Sequence, residues 1–353
     1  MAASSAALRK RIGFLSFGHW SQAPGSQVRT AADALRQSVE LAAGAEALGI
    51  DGAYVRVHHF ARQLASPFPL LAAMAARTST IELGTGVIDM RYENPLYMAE
   101  EAAATDLIGA GRLQLGVSRG SPEPAVDGAH AFGHVPRPGE TDADLARRHT
   151  AEFRAAIAGA PVVDGDPRMG AFGRLAIQPQ APGLSDRIWW GSGSSDTAEW
   201  VARQGMNLMS STLLLEERGL PFDELQAQQI LLFRDAWVAA GHEREPRVSV
   251  SRSVFPITSD EDAAYFGGQA GGRDTVGFLD GANARFGKTY AGDPDVVADQ
   301  LAEDAAVQLA DTVLLTIPNQ LGVAYNLHVL GAIAEHVAPA IGWTPTGARR
   351  AEA

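Results

Sequence analysis

The stretch from Ile81 to Gly120, IELGTGVIDM RYENPLYMAE EAAATDLIGA GRLQLGVSRG, decides the fold. Its opening run is bounded by glycines and carries Ile81, Leu83 and Val87 as apolar residues, the pattern of a short buried strand. Asn94-Pro95 then starts a helix, because asparagine caps the first N–H groups and proline is tolerated at the first helical position. Leu96 to Ile108 are mostly good helix formers, and Gly109 ends the run. A second strand follows at once, Leu113-Gln114-Leu115-Gly116-Val117. Strand, helix and strand in so short a span form one right-handed βαβ unit, which requires a parallel sheet.

Both strands end in glycine-rich runs, Gly84-Thr85-Gly86-Val87 and Gly116-Val117-Ser118-Arg119-Gly120. Glycine weakens a strand, so at such places it is kept for a bulge or for the close approach of a ligand. The two ends lie on the same side of a parallel sheet, where α/β proteins bind their ligands.

Upstream, the strand Ile12–Phe17 ends in Gly18-His19-Trp20 and a helix covers Thr30–Leu48. Gly52–Val57 is a second strand, ending at His58-His59-Phe60, and Ser66-Pro67 introduces a helix to Arg77. Downstream, Ser121–Thr141 is rich in proline, glycine and charge and exceeds an ordinary βα loop, so it is expected to lie over the active face. A helix from Ala143 to Ile157 and an irregular piece to Gly183 follow. Strands are expected at Arg187–Gly191, Met206–Ser210, Arg247–Phe255 and Thr312–Ile317. Helices are expected at Thr197–Arg203, Asp223–Ala240, from Asp293-Pro294, and over Tyr325–His336. Ser259–Lys288 is glycine-rich and reads as a second long, mobile excursion. Eight strands, each followed by a helix, predict a single (β/α)8 TIM barrel over residues 11–343, with insertions at about 121–141 and 259–288 on its C-terminal face. Residues 1–10 read as a disordered lead-in and 344–353 as a flexible tail.

The 353 residues carry a formal charge of −12, which argues against a nucleic-acid partner. No apolar run is long enough to cross a bilayer, and the first residues lack the apolar core of a secretory signal. The expectation is a cytoplasmic protein. With no cysteine, disulfides, thiolate nucleophiles and cysteine-ligated metals are excluded.

Gly191-Ser192-Gly193-Ser194-Ser195-Asp196 leads from a strand into a helix N-terminus, where N–H groups, the helix dipole and serine hydroxyls suit a phosphate. The plainer alternative is a capped βα loop. His58-His59 is the most conspicuous titratable pair, fit for acid, base, donor or ligand roles. Adjacent residues of a strand point to opposite faces, so only one of the two faces the pocket and a metal pair is not expected. Two structural histidines are the alternative. Arg119 can steady an anion or a carbonyl, or pair with a carboxylate such as Glu123. Tyr92 and Asn94 sit between strand end and helix start, so their side chains can line the pocket, Tyr92 toward substrate and Asn94 toward the cofactor, or Asn94 can be no more than a cap. His19 and Trp20 can form an aromatic wall, or simply pack.

Ala45-Glu46-Ala47-Leu48-Gly49-Ile50-Asp51, His58-His59-Phe60, Leu83-Gly84-Thr85-Gly86-Val87, Asn94-Pro95 with Ala99-Glu100, and Gly111–Val117 together resemble the bacterial luciferase-like monooxygenases, a superfamily that includes coenzyme F420-dependent relatives. The resemblance extends to Gly191–Asp196 and Gly292-Asp293-Pro294. It implies a (β/α)8 barrel, often dimeric, with a flavin or deazaflavin at the C-terminal strand ends. Gly86-Val87 would carry a non-prolyl cis peptide behind the flavin ring, with Thr85 beside it in the cofactor site. Gly116, Ser118 and Arg119 would form the second ring contact, and Gly191, Ser192, Gly193, Ser194 and Ser195 the phosphate loop. His58 and His59 match a pair that relatives precede with an acidic residue. Here that position is Val57, which takes away the carboxylate that would orient a histidine or hold it protonated.

On this resemblance the leading expectation is a monooxygenase using reduced FMN from a separate reductase, O2 and a small organic substrate. His58 or His59 would be the polar catalytic group, and the two excursions would act as lids. The alternative is F420-dependent hydride transfer, whose anionic cofactor tail wants a basic groove that an acidic chain with lysines at Lys10 and Lys288 disfavours. A non-catalytic flavin-binding protein and a non-flavin barrel hydrolase complete the alternatives.

Overall fold

The computed structural model describes residues 10–120, 124–215, 218–279 and 282–345. Eight parallel strands close into a barrel: β1 (Arg11–Ser16), β2 (Gly52–Val55), β3 (Glu82–Asp89), β4 (Leu113–Ser118), β5 (Ile188–Ser192), β6 (Asn207–Ser210), β7 (Val248–Pro256) and β8 (Thr312–Thr316). Each pairs with the next in sequence, and Arg11↔Thr312 to Leu15↔Thr316 joins β8 back to β1. The surrounding helices are α1 (Ala31–Ala47), α2 (Pro67–Arg77), α3 (Pro95–Ile108), α4 (Asp142–Ile157), α5 (Ser195–Arg203), α6 (Phe222–Ala239), α7 (Pro294–Glu303) and α8 (Gly322–Ala332). The TIM barrel expected from the sequence is the fold observed.

The helices start where local chemistry tells them to. Thr30 and Thr141 each form a capping box, with Asp33 and Asp144 reaching back to the cap N–H. Asn94 Oδ1 accepts from the N–H groups of Leu96 and Tyr97 ahead of Pro95. Between helices and strands lies the main apolar core, with Phe14, Leu71, Met74, Leu83, Leu115 and Phe233 nearly inaccessible.

The inside of the barrel is plugged. Tyr54 and Trp189 are buried there with Leu15, Met209 and Leu314. Below them Arg247 makes a two-pronged ion pair with Glu82 (2.8 and 2.9 Å), and Trp189 Nε1 donates to Gln114 Oε1 at 2.8 Å. This filling lies beneath the cavity at the C-terminal strand ends. At the opposite end Lys10 donates to the carbonyls of Val307, Gln308 and Ala310, while Trp343 Nε1 donates to Asp51 Oδ2.

The excursion expected over Ser259–Lys288 contains regular structure. Asp260–Phe266 is a short helix whose Phe266 stacks on Phe255 at 3.8 Å and whose Asp262 accepts from Tyr325 and Thr258. Thr275–Leu279 and Ala282–Phe286 form an antiparallel hairpin, joined through Arg285 and Phe286 to Leu213–Leu214 beyond β6. Glycine content alone signalled an irregular segment; aromatic stacking and cross-strand pairing order it instead. Of the first excursion, residues 121–123 lie outside the described residues, and Gly128–Ala131 forms one helical turn. The irregular piece before β5 carries a two-stranded exposed pairing of Val163–Asp164 with Arg174–Leu175.

Candidate active site

A cavity of about 310 Å³ opens at the C-terminal ends of the strands, at the lower end of the size range of small-molecule sites. Its floor is Leu15, Val87, Met209 and Leu314, the upper surface of the barrel filling. On one wall β3 bulges: its register against β4 slips between Thr85 and Ile88, and the Gly86–Val87 peptide is cis. Thr85 is fully buried and its hydroxyl donates to the Gly116 carbonyl at 2.8 Å, which pins the bulge to β4. A Cβ on Gly116 would stand 2.3 Å from the Thr85 oxygen and 2.6 Å from Met209 Sδ, so only glycine lets the two strands approach.

The opposite wall is the start of α5. Gly191, Gly193, Ser194 and Thr197 line the cavity there. Ser194 Oγ accepts from the Thr197 N–H at 3.4 Å and contacts its hydroxyl at 3.0 Å. Ser192 lies beneath, buried, donating to the Ser194 carbonyl at 2.8 Å. A Cβ on Gly191 would come within 3.1 Å of Val87, so the two walls meet closely at that point. Arg147 of α4 reaches the same rim, its guanidinium 4.6 Å from the Trp200 ring of α5. A cation, two hydroxyls and a helix N-terminus are thus assembled in one corner, the donor set that suits a phosphate. The glycines of that corner leave the space a side chain would fill.

His58 lines the cavity beyond β2, and its Nε2 accepts a 2.8 Å hydrogen bond from Arg56 Nε. Arg56 lies over the Phe17 ring at 4.8 Å, and burial lowers the pKa of its guanidinium. His59 turns the other way, as alternation along an extended chain requires, and stacks on Tyr92 at 4.1 Å with Phe132 edge-on. Neither His59 nor Tyr92 lines the cavity. Asn94 serves as the α3 cap. His19 stacks on Phe17, with burial followed by His58 and Arg56 lowering its pKa, and Trp20 packs against the core. Ser118 and Arg119 line the cavity, with Ser118 Oγ accepting from the Gly120 N–H. Ser195 is buried in the first turn of α5.

Several lining residues were not singled out from the sequence. Asp89 is buried at the end of β3 and is gripped by Arg91, whose Nη2 donates at 2.6 Å; Arg91 reaches on to Asp142 of α4. Ser210 and Ser211 stand at the end of β6, where Gln226 donates to the Ser210 hydroxyl and the Ser211 carbonyl. Gln226 in turn accepts from Arg252, which is buried in a two-pronged pair with Asp304 (2.7 and 2.9 Å). Arg56 had a readable signal: two residues before His58 in an extended run, it shares that residue's face. Arg147 and Asp89 had none, because only the folded path of α4 brings the arginine to α5. Among the described residues no group of three or more histidine, aspartate or glutamate side chains is placed to hold a metal.

Residues 11–310 of this closed barrel match the family description "luciferase-like monooxygenase". The chain belongs to that family. It is similar to the oxygenase component of a flavin-dependent trigonelline monooxygenase from Acinetobacter baylyi, 25% identical over 238 residues. That stretch is 62% of this chain and 63% of the relative, less than two thirds of the relative's length. The monooxygenase RslO1 from Streptomyces bottropensis has a similar structure, with a TM-score of 0.69 and 22% identity over 93% of this chain and 99% of that one. The oxygenating constituent of 3,6-diketocamphane monooxygenase from Pseudomonas putida, in complex with FMN, gives 0.68 and 17% over 95% and 99%. At these identities the structural likeness speaks for the fold.

Proposed function

We propose that the protein is a monooxygenase that receives reduced FMN from a separate reductase and uses O2 to oxidise a small organic substrate. The observation that carries this reading is one cavity with a bulged glycine wall on one side and a phosphate-type corner on the other. Gly193, Ser194, Thr197 and Arg147 would hold the phosphate, and the Gly86–Val87 bulge would back the flat ring. The flavin, once bound, supplies the electrons that activate O2.

The chain's own residues supply position, polarity and dryness. Leu15, Val87, Met209 and Leu314 form an apolar floor that excludes water. Leu213, which the 275–286 hairpin pairs through Phe286, forms part of the rim, so the second excursion acts as a side wall. His58 contributes its imidazole to the cavity lining. The outer face of α3, with Leu96, Tyr97, Leu107 and Ile108 exposed, suits a homodimer contact, which sedimentation tests.

Parallel titrations with FMN, riboflavin and F420 test the cofactor. The reading expects FMN to bind best and riboflavin, which lacks the phosphate, to bind more weakly. Tight F420 binding without FMN binding overturns it in favour of hydride transfer.

A further inference from the structure

The apolar floor of the cavity contains a sulfur atom. Met209 of β6 packs there with Leu15 and Leu314, and Val87 of the β3 bulge lies against the same group. Its Sδ lies against the β4 backbone, 2.6 Å from where a Cβ on Gly116 would stand. Leucine would fill such a floor as well, and without a reactive atom. A thioether is soft and polarizable, and it takes up one oxygen atom to become a sulfoxide. The chain has no cysteine and seven methionines, so methionine carries all of its sulfur. Among the described residues Met209 is the methionine that lines the cavity. Met74, Met90, Met98 and Met206 are buried away from it, and Met169 is 83% exposed on the surface, against 6% for Met209.

We propose that Met209 is an oxidation site, to which the protein's own reaction delivers oxygen when no organic substrate is present. This rests on the monooxygenase reading, in which the flavin ring is backed by Val87 and so meets the floor that Met209 shares. The step balances: reduced FMN and the thioether each give two electrons to one O2. One oxygen atom forms the S=O bond, and the other leaves as water with the two hydrogens of the reduced flavin. The product is a polar sulfoxide in the surface that excludes water. Oxidised protein therefore holds FMN less tightly, and idle turnover limits itself until a methionine sulfoxide reductase restores the thioether.

The test cycles the whole protein with FMN, NADH, a flavin reductase and 18O2, with catalase present to remove peroxide released into solution. Tandem mass spectrometry reads each methionine. The tryptic peptide 204–218 holds both Met206 and Met209, so a buried methionine is an internal control. The expected result is a gain of about 18 Da, one 18O atom, at Met209 ahead of Met169 and with no change at Met206. Hydrogen peroxide alone, without flavin, should reverse the order and reach Met169 first. The Kd of the cycled protein for FMN should rise about 5-fold or more, as a buried polar atom without a partner implies. It should return after treatment with methionine sulfoxide reductase, and Met209→Leu cycled in the same way should show no such rise.

Labelling of Met169 ahead of Met209 during flavin cycling overturns the proposal, as does the same order of oxidation with both oxidants. If FMN binds and O2 is consumed but Met209 stays unlabelled, the proposal fails and the monooxygenase reading stands. Failure of FMN to bind, read by titration before cycling, overturns that reading and the proposal with it. If Met209→Leu does not fold, the labelling pattern of the wild type still decides.

Discussion

Replacing Arg147 with alanine removes the cation from the corner where Ser194, Thr197 and the α5 N-terminus converge, and it touches nothing in the barrel core. Arg147 is exposed on α4 and packs over Trp200. A hydrogen bond to a charged group contributes about 1.5–3 kcal/mol, and solvent screening at an exposed rim reduces this to about 1–2 kcal/mol. That corresponds to a roughly 5- to 30-fold rise in the Kd for FMN. The assay is a flavin fluorescence titration of wild type and Arg147→Ala with FMN and with riboflavin. The loss should be confined to FMN, because riboflavin offers no phosphate for the arginine to meet. Adding salt should shrink the wild-type advantage. Equal weakening of both flavins would mean that Arg147 supports the pocket's shape, and no weakening of either would remove the phosphate from this corner.

Three further outcomes are expected. His58→Ala should lower turnover while leaving FMN affinity nearly intact; His59→Ala, which removes the stack on Tyr92, should lower Tm with a smaller effect on turnover, read by steady-state assay and thermal melt. Arg252→Met strands Asp304 in a fully buried site, which costs about 3–5 kcal/mol and lowers the denaturant midpoint accordingly. The third concerns acid. Burial lowers the pKa of His134 and of His149, whose rings meet edge to face at 5.1 Å, while the unfolded chain titrates at an ordinary value of about 6.5. Below that value the unfolded state binds more protons, so stability falls as pH falls. Glu93, pushed up to about 7 by burial and then by Glu101 and Asp89, acts in the opposite sense. The difference in Tm between wild type and His149→Asn isolates the histidine part: between pH 7.5 and 5.5 the wild type should lose more. Parallel curves would contradict the assignment.

The barrel was legible because each βα unit announces itself twice, by an apolar strand and by a capped helix. Asn94-Pro95 and the glycines at 84, 86 and 116 read correctly as a helix start and as close-approach positions. Alternation along an extended chain said that one histidine of the pair faces the pocket, but its phase was unreadable until the end of β2 was placed. The order within Ser259–Lys288 was also hidden. It comes from Phe266 on Phe255 and from a hairpin edge on Leu213–Leu214, contacts across long sequence separations. Arg147 and Asp89 reach the cavity through helix packing and a strand-end ion pair, which no local pattern encodes.

The reaction of the reduced flavin with oxygen decides between monooxygenation and hydride transfer. Stopped-flow mixing of protein and anaerobically reduced FMN with aerated buffer follows that reaction directly. A monooxygenase should give a transient absorbance distinct from both reduced and oxidised FMN, absent without protein and lasting while the cavity stays closed to water. Immediate return to oxidised FMN at the rate seen without protein, together with tight binding of F420, would contradict it.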